Sequence, residues 1–303
     1  MGAQLRAVRR RIRTVQSTAK ITRAQELIAS SRIIKAQQRV RDAQPYAREI
    51  TNAVTAVVSR SGQIDHPLTR PVTDPSRAAV LILTSDRGFA GGYNATVLRE
   101  AAGLKALLRE HGVAPVPFVS GRKGIVWHRF RDLPVEAEWS GFSETPRHAN
   151  AAEITATLLD AFRRPAGEGG VDELHIVYTE FVSMLTQRPV LRRLLPLEIE
   201  ETTEAPPGGP LPIYEFEPSP EDVLDALLPW YVESRIFHAL LESAAAEIAA
   251  RRKAMKSATD NAHELIDRLT LEANKARQAE ITQEISEIVG GANALAESIA
   301  GSK

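Results

Sequence analysis

Over the first sixty residues, seam side chains recur at alternating spacings of three and four without a break. Leu5, Val8, Ile12, Val15, Ala19, Thr22, Glu26, Ala29, Ile33, Ala36, Val40, Ala43, Ala47, Ile50, Val54 and Val57 form one line, and only Thr22 and Glu26 in it are polar. A 3.5-residue period held this long dictates a helix with a narrow seam, which is unstable until a second helix covers it. The many alanines on the seam predict close approach of that partner. Pro45 predicts a kink, because it removes one backbone donor without ending the pattern. Ser61, Gly62, Pro67, Pro71 and Pro75 then break the helix.

A matching partner lies in the same chain. From Ser219 onward the pattern is again helical, with Ser219, Pro220 and Glu221 forming an amino-terminal cap. Pro229 and the pair Gly290 and Gly291 are the only interruptions. Phe237, Leu241, Ala244, Ile248, Met255, Ala258, Ala262, Leu265 and Leu269 make the second seam. It is expected to fail at the mostly polar stretch Thr270 to Glu280, where a displaced stripe of Ile281, Ile285, Ile288, Ala292, Leu295 and Ile299 takes over. If the two helices run antiparallel, at ~1.5 Å per residue the first spans ~85 Å and the last ~120 Å. From about Ala276 onward, roughly 38 Å of helix then has an apolar stripe and nothing of its own chain to cover it. Such a helix needs another molecule around it.

Between the helices, strand and helix patterns alternate. Ala78 to Leu83 reads as a buried strand, Ala95 to Glu110 as an amphipathic helix and Val116 to Val119 as a second strand. Gly121 to Arg131 is expected to be helical, Val135 to Trp139 extended, Asn150 to Arg163 helical and Leu174 to Tyr178 a third clear strand. Val190 to Leu197 reads as an added strand, and Glu200 to Pro212, acidic and rich in Pro and Gly, as a surface loop. Alternation of this kind favours a mostly parallel sheet covered by helices. The expected fold class is therefore α/β with a long α-helical coiled coil. Residues 1–60 and 219–303 form an antiparallel two-helix coiled coil, and residues 75–216 a central, mostly parallel, Rossmann-like α/β domain.

Charge and composition narrow the chemistry. The chain has no cysteine, which excludes disulfides, thiolate metal sites and Cys nucleophiles. It has no run of eighteen apolar residues, so no membrane-spanning helix is expected. Its opening lacks the short apolar core of a secretory signal, which points to a cytoplasmic protein. Lys and Arg (38) balance Asp and Glu (38) overall, yet Met1 to Arg60 carries thirteen basic residues against Glu26, Asp42 and Glu49. A basic surface of that length fits an acidic partner or nucleic acid, or is simply a solvated face. Nucleic acid is disfavoured, because no aromatic residue stands between Met1 and Pro45 to stack on a base.

Ser85-Asp86-Arg87-Gly88-Phe89-Ala90-Gly91-Gly92-Tyr93-Asn94 follows a strand and opens a helix, the usual place for a phosphate-cradling loop. Its spacing fits neither GxGxxG nor a P-loop, so the glycines are read as shaping a tight turn that Asp86 and Arg87 fix. The histidines at 66, 111, 128, 148, 175, 238 and 263 show no metal-ligand spacing, and no GxSxG elbow occurs. No cofactor, metal or catalytic residue is expected.

The residues at both ends resemble one family, the ATP synthase gamma subunits. Ile21-Thr22-Arg23-Ala24-Gln25-Glu26-Leu27-Ile28-Ala29-Ser30-Ser31 is similar to a segment of their first helix, and Ser85 to Asn94 to their glycine turn. Met255-Lys256-Ser257-Ala258-Thr259-Asp260-Asn261-Ala262 and Asn274 to Leu295 are similar almost residue for residue. The resemblance spans essentially the whole chain. Phe89 and Ala90 depart from the common Leu-Cys and Gln25 from a common Met, and Pro165 to Gly170 is a short link where some relatives carry an insertion. What the resemblance implies is a non-catalytic rotor, the central stalk of a bacterial F-type proton-translocating ATP synthase. It would turn inside three alpha and three beta subunits and dock on the epsilon subunit and the c-ring. The implied location is peripheral, at the cytoplasmic face of the plasma membrane. Contact with beta subunits is implied for Arg251, Gln278, Thr282, Gln25, Arg9 and Arg13, and an apolar collar around Ile285, Ile288, Leu295 and Ile299. The basic patch would also include Arg23, Arg32 and Lys35. The alternatives are a nucleotide-binding α/β protein with coiled-coil oligomerisation arms, or a self-associating coiled-coil adaptor.

Overall fold

The computed structural model describes residues 2–60, 72–197, 217 and 219–300. Two compact units divide the chain: Ala29–Lys253, and Met1–Ile28 with Ala254–Lys303. Two long helices, α1 (Gly2–Arg60) and α5 (Pro220–Ala300), contribute to both. Both run as helix through their prolines, Pro45 and Pro229, and α5 also through Gly290 and Gly291. Ser219 caps α5 as expected, its Oγ accepting the Asp222 N–H at 3.1 Å.

The unit Ala29–Lys253 is built on a five-stranded sheet. Its strands are β1 (Arg77–Leu83), β2 (Ala114–Ser120), β3 (Ala137–Trp139), β4 (Glu173–Phe181) and β5 (Gln187–Leu195), in the order β3-β2-β1-β4-β5. β1 to β4 are parallel and β5 is antiparallel to β4. The central strand β1 is apolar almost throughout because both faces are covered. Ala79, Leu81 and Leu83 join Phe118, Ile176, Ile154 and Leu158 of α4 (His148–Arg163), Val54 and Val57 of α1, and Leu224, Leu228, Val232 and Ile236 of α5. Ala78, Val80 and Ile82 join Val97, Ala101, Leu104 and Leu108 of α2 (Tyr93–Glu110) and Ile125 of α3 (Arg122–Arg129).

Several boundaries differ from the sequence expectation, those of β2 and β5 for a physical reason. β2 reaches back past Val116 to Ala114 through Pro115 and Pro117. The Ala114 N–H donates to Ser76 O, on the β1 side, so the two prolines lack their donors on the other side. There β3 pairs only with Phe118 to Ser120, and no ladder bond is forfeited. β5 starts at Gln187 rather than Val190, because the hairpin turn closed by Ser183 N–H to Thr186 O sets its register. It tolerates Pro189 as an edge strand. α2 begins at Tyr93 rather than Ala95, α3 covers Arg122–Arg129 rather than Gly121 to Arg131, and β3 is only three residues long. The segment Glu200 to Pro212 lies outside the described residues.

Within this unit α1 and α5 meet through small side chains, Ala29, Ile33 and Ala36 against Ala245, Ile248 and Ala249. In the other unit Leu5 and Val8 pack on Leu269 and Ala273, flanked by Ile12, Val15, Leu265 and Ala276. Thr22 and Thr259 share a buried hydroxyl hydrogen bond of 2.7 Å. The antiparallel pairing holds in each. The expected failure of the second seam at Thr270 is corrected: Ala273 and Ala276 extend it, small enough to be missed among polar neighbours. Beyond Ala276 every residue to Asn293 is exposed except half-buried Glu280.

The turn after β2 is set by Gly121, at φ 101°, where an added Cβ would lie 2.1 Å from the Thr84 carbonyl oxygen. Gly121→Ala combines backbone strain with overpacking and is expected to cost about 3 kcal/mol. An unchanged urea-unfolding midpoint would refute this account of the turn.

Candidate functional site

The loop from Ser85 to Gly92 leaves β1 and is pinned from several sides. The Asn94 side-chain oxygen accepts the Ser85 N–H at 2.9 Å, and the Asp86 carboxylate accepts N–H groups from Gly141 (2.8 Å), Ser143 (2.9 Å) and Arg122 (3.1 Å). Burial raises the Asp86 pKa, but these donors outweigh it and hold the carboxyl below its usual range. Asp86 thus fixes the turn as expected. Gly91 takes a positive φ of 56°, and Phe89, two residues earlier and 80% exposed, takes one of 63°.

In an open α/β sheet, ligands enter the crevice beyond the strand ends where the strand order reverses, here beyond β1 and β4. This chain fills that crevice itself. Ala90 and Tyr93 pack on Ala246 of α5, with Phe181 and Ala250 alongside, and the Tyr93 hydroxyl donates to Ser243 O at 3.2 Å. The Glu242 carboxylate accepts the Phe181 N–H at 2.7 Å.

Next to the filled crevice is an ion network. The Arg251 guanidinium, 9% exposed, donates to Glu247 at 2.5 Å, to Glu144 at 3.0 Å and to the Gly88 carbonyl at 3.3 Å. Arg32 of α1 pairs with the other Glu144 oxygen, and Arg87 stands 3.9 Å from the first. The network joins α1, α5 and the loops after β1 and β3. The family resemblance points to Arg251 but not to Glu247 or Glu144. Glu247 stands one helical turn before Arg251, a spacing that could have flagged the pair, whereas Glu144 is far away in sequence.

The other expected site residues lie in the unit formed by Met1–Ile28 and Ala254–Lys303. Arg9 and Arg13 are exposed and flank Ile12 along a shallow cleft of about 430 Å³. Gln25 is exposed, and Arg23 is paired with Glu26 at 2.7 Å. Gln278 and Thr282 share one exposed face, the Thr282 hydroxyl donating to the Gln278 carbonyl at 2.9 Å. Ile285 and Ile288 are 55% and 72% exposed. Leu295 and Ile299 lie outside the residues whose side chains are described. Of the histidines, His128, His148, His175 and His238 each face a Lys or Glu, and among the described residues no group of three His, Asp or Glu could hold a cation. Among the described residues no helix is long and apolar enough to cross a membrane.

Burial raises the Glu247 carboxyl to about 7, although Arg251 and the Ser143 hydroxyl pull it down. The folded chain then binds a proton more tightly than the unfolded one, so this group's contribution is full below about pH 4.5 and is lost as pH rises through about 7. Glu247→Gln cannot titrate. From about pH 5 to about 7.5, wild type is therefore expected to lose stability relative to Glu247→Gln by on the order of 2 kcal/mol in urea unfolding at fixed ionic strength. A flat difference would mean that Arg251 keeps the carboxylate ionised throughout.

A protein-family model described as ATP synthase matches residues 4–295. The ATP synthase gamma chain of Acidothermus cellulolyticus is 63% identical over 295 residues, covering 97% of this chain and 98% of the relative. That of Thermobifida fusca is 56% identical over 306 residues and covers 100% of both. Among solved structures, the rotor of the Euglena gracilis mitochondrial ATP synthase aligns with a TM-score of 0.67 at 15% identity, over 93% of this chain and all of that one. The central stalk and c-ring structure of the Tetrahymena thermophila mitochondrial ATP synthase gives 0.56 at 22% identity, over 78% of this chain and 99% of that one. Paired terminal helices around a mostly parallel sheet, with identity sustained from end to end, place this chain in the ATP synthase gamma chain family.

Proposed function

We propose that this chain is the non-catalytic rotor of a bacterial F-type, proton-translocating ATP synthase. Rotation driven by proton flow would be carried by α1 and α5 into a ring of three alpha and three beta subunits, and the beta sites would do the chemistry. A rotating subunit shifts such sites only through differential contact with their states. The helix pair offers different chemistry around its circumference: Arg9, Arg13 and Gln25 on α1, Gln278 and Thr282 on α5. These are the proposed beta contacts, together with Arg251, which would meet the partner alongside the Gly88 loop it anchors. Ile285, Ile288, Leu295 and Ile299 would sit in the apolar collar of the ring. The epsilon subunit and the c-ring are the proposed partners of the α/β unit, at the cytoplasmic face of the plasma membrane.

The observation that carries this reading is the stretch after Ala276, where Ile281, Ile285, Ile288 and Val289 are all about half exposed or more, uncovered by any of the described residues. So much apolar surface on one helix is costly in water and marks a binding face. The filled crevice favours a non-catalytic role over the nucleotide-binding alternative.

Mixing the chain with alpha and beta subunits is expected to give a complex with one copy of the chain per three of each. ATP turnover should appear only in the complex, and the α5 end should become protected from protease. Turnover by the chain alone, or cleavage unchanged in the complex, would sink the proposal. In the reconstituted membrane enzyme, Gln278→Ala with Thr282→Ala is expected to lower proton-coupled ATP synthesis several-fold while leaving the thermal midpoint of the free chain in place. Unaltered synthesis would remove both from the contact set.

A further inference from the structure

Between β4, β5 and the first part of α5 lies a hollow of about 110 Å³ that none of the contacts above uses. It is lined by Ile176, Tyr178 and Glu180 of β4, Arg192 and Leu194 of β5, and Arg235, His238 and Ala239 of α5.

The charges here do not cancel. Both Nε and Nη2 of Arg188 hold the Glu180 carboxylate, at 3.2 and 2.6 Å. Among the described residues neither Arg192 nor Arg235 has a carboxylate within ion-pair distance, and Arg235 instead lies 5.9 Å over the Tyr231 ring. Burial lowers the His238 pKa, and the positive charges of Arg235 and Arg192 lower it further against the opposing pull of Glu180. Its Nε2 faces Glu242 at 3.8 Å, while its buried Nδ1 has no hydrogen-bond partner. Two guanidinium groups without a carboxylate partner thus line a hollow that would favour an anion. Its volume is far above the roughly 15 Å³ needed by one water and well below the roughly 300 Å³ at which pockets for larger ligands begin.

We infer that this hollow is a binding site for one small tetrahedral oxyanion of the inorganic phosphate class, held between Arg192 and Arg235. Arg192 belongs to the edge strand and Arg235 to α5, so the bound ion would bridge the sheet margin to the helix that covers it. Occupancy then stabilises that packing by mass action.

The test is titration of the full-length chain with inorganic phosphate at constant ionic strength, followed by calorimetry and by the thermal midpoint. One saturable site per chain and a rising midpoint are expected. Arg192→Gln with Arg235→Gln removes a like-charge pair, so this variant is expected to fold without phosphate and to bind it at least tenfold more weakly. Arg9→Gln with Arg13→Gln should bind as wild type does. ADP, too large for the hollow, should not compete. Absence of saturable binding by the unaltered chain overturns the assignment whatever the variants do. So does equal affinity in the Arg192/Arg235 variant, loss of binding in the Arg9/Arg13 variant, or competition by ADP.

Discussion

Close approach of two antiparallel helices through small side chains is the constraint on which the arrangement of the unit Ala29–Lys253 depends. In the unit Ala29–Lys253 the contact is made by Ala29, Ala36, Ala245 and Ala249, with Ile33 and Ile248 between them. Alanine brings the backbones together and leaves little side chain to span a gap, so the rest of the circumference of α5 is free for other neighbours. The consequence is visible from Ala239 to Ala249, where every residue is buried. A helix buried on all sides has lost its solvated face. α5 is here a core element of the α/β unit as well as half of a coiled coil.

That position explains both the filled crevice and the ion network. A helix passing the carboxyl ends of β1 and β4 takes the place a ligand would occupy in an open α/β sheet, with Ala246 and Ala250 against Tyr93 and Phe181. Because the helix is enclosed, its charged residues must be satisfied inside the unit. A lone buried charge costs several kcal/mol, and a buried pair is retained only with good geometry and further hydrogen bonds. Glu247 and Arg251 meet that condition one turn apart on the same helix, and Glu144 and the Gly88 carbonyl accept from the other two nitrogens of the guanidinium. Removing Arg251 would leave Glu247 and Glu144 without their shared partner, so the network specifies where both loops sit even if its net stabilisation is small.

The parts legible in the sequence are those encoded by near neighbours along the chain. Every position of the first seam from Leu5 to Val57 is buried or half-buried, because coiled-coil burial follows from a one-dimensional period. β1, β4 and the helices α2 and α4 are recognisable from runs of apolar residues or a helical period, to within a few residues. What escapes is burial decided by distant partners. The seam reading places Leu241, Ala244 and Ile248 on one face of α5, whereas the intervening Ser243 and Glu247 are buried too, against the sheet and its loops. Prolines in β2 and arginines in β5 hide where those strands begin, because their pairing is decided by which edge is free. The site follows the same division: the exposed faces of Arg9, Arg13, Gln278 and Thr282 can be read locally, while the tie from Arg251 to Glu144 cannot.

The apolar stripe at the end of α5 is not a frayed continuation of its seam. Leu269, Ala273 and Ala276 keep the spacings of four and three that face α1, and the next seam position is Glu280, the last half-buried one among the residues whose burial is described. Ile281, Ile285 and Ile288 repeat the same spacings from a start one residue later, which turns the stripe by about 100° around the helix axis. A stripe turned that far could not be covered by extending the existing pair, because α1 would lie against the wrong side. An unbroken period with a changed phase therefore encodes a second partner in a second direction, which is the physical content of the proposed collar.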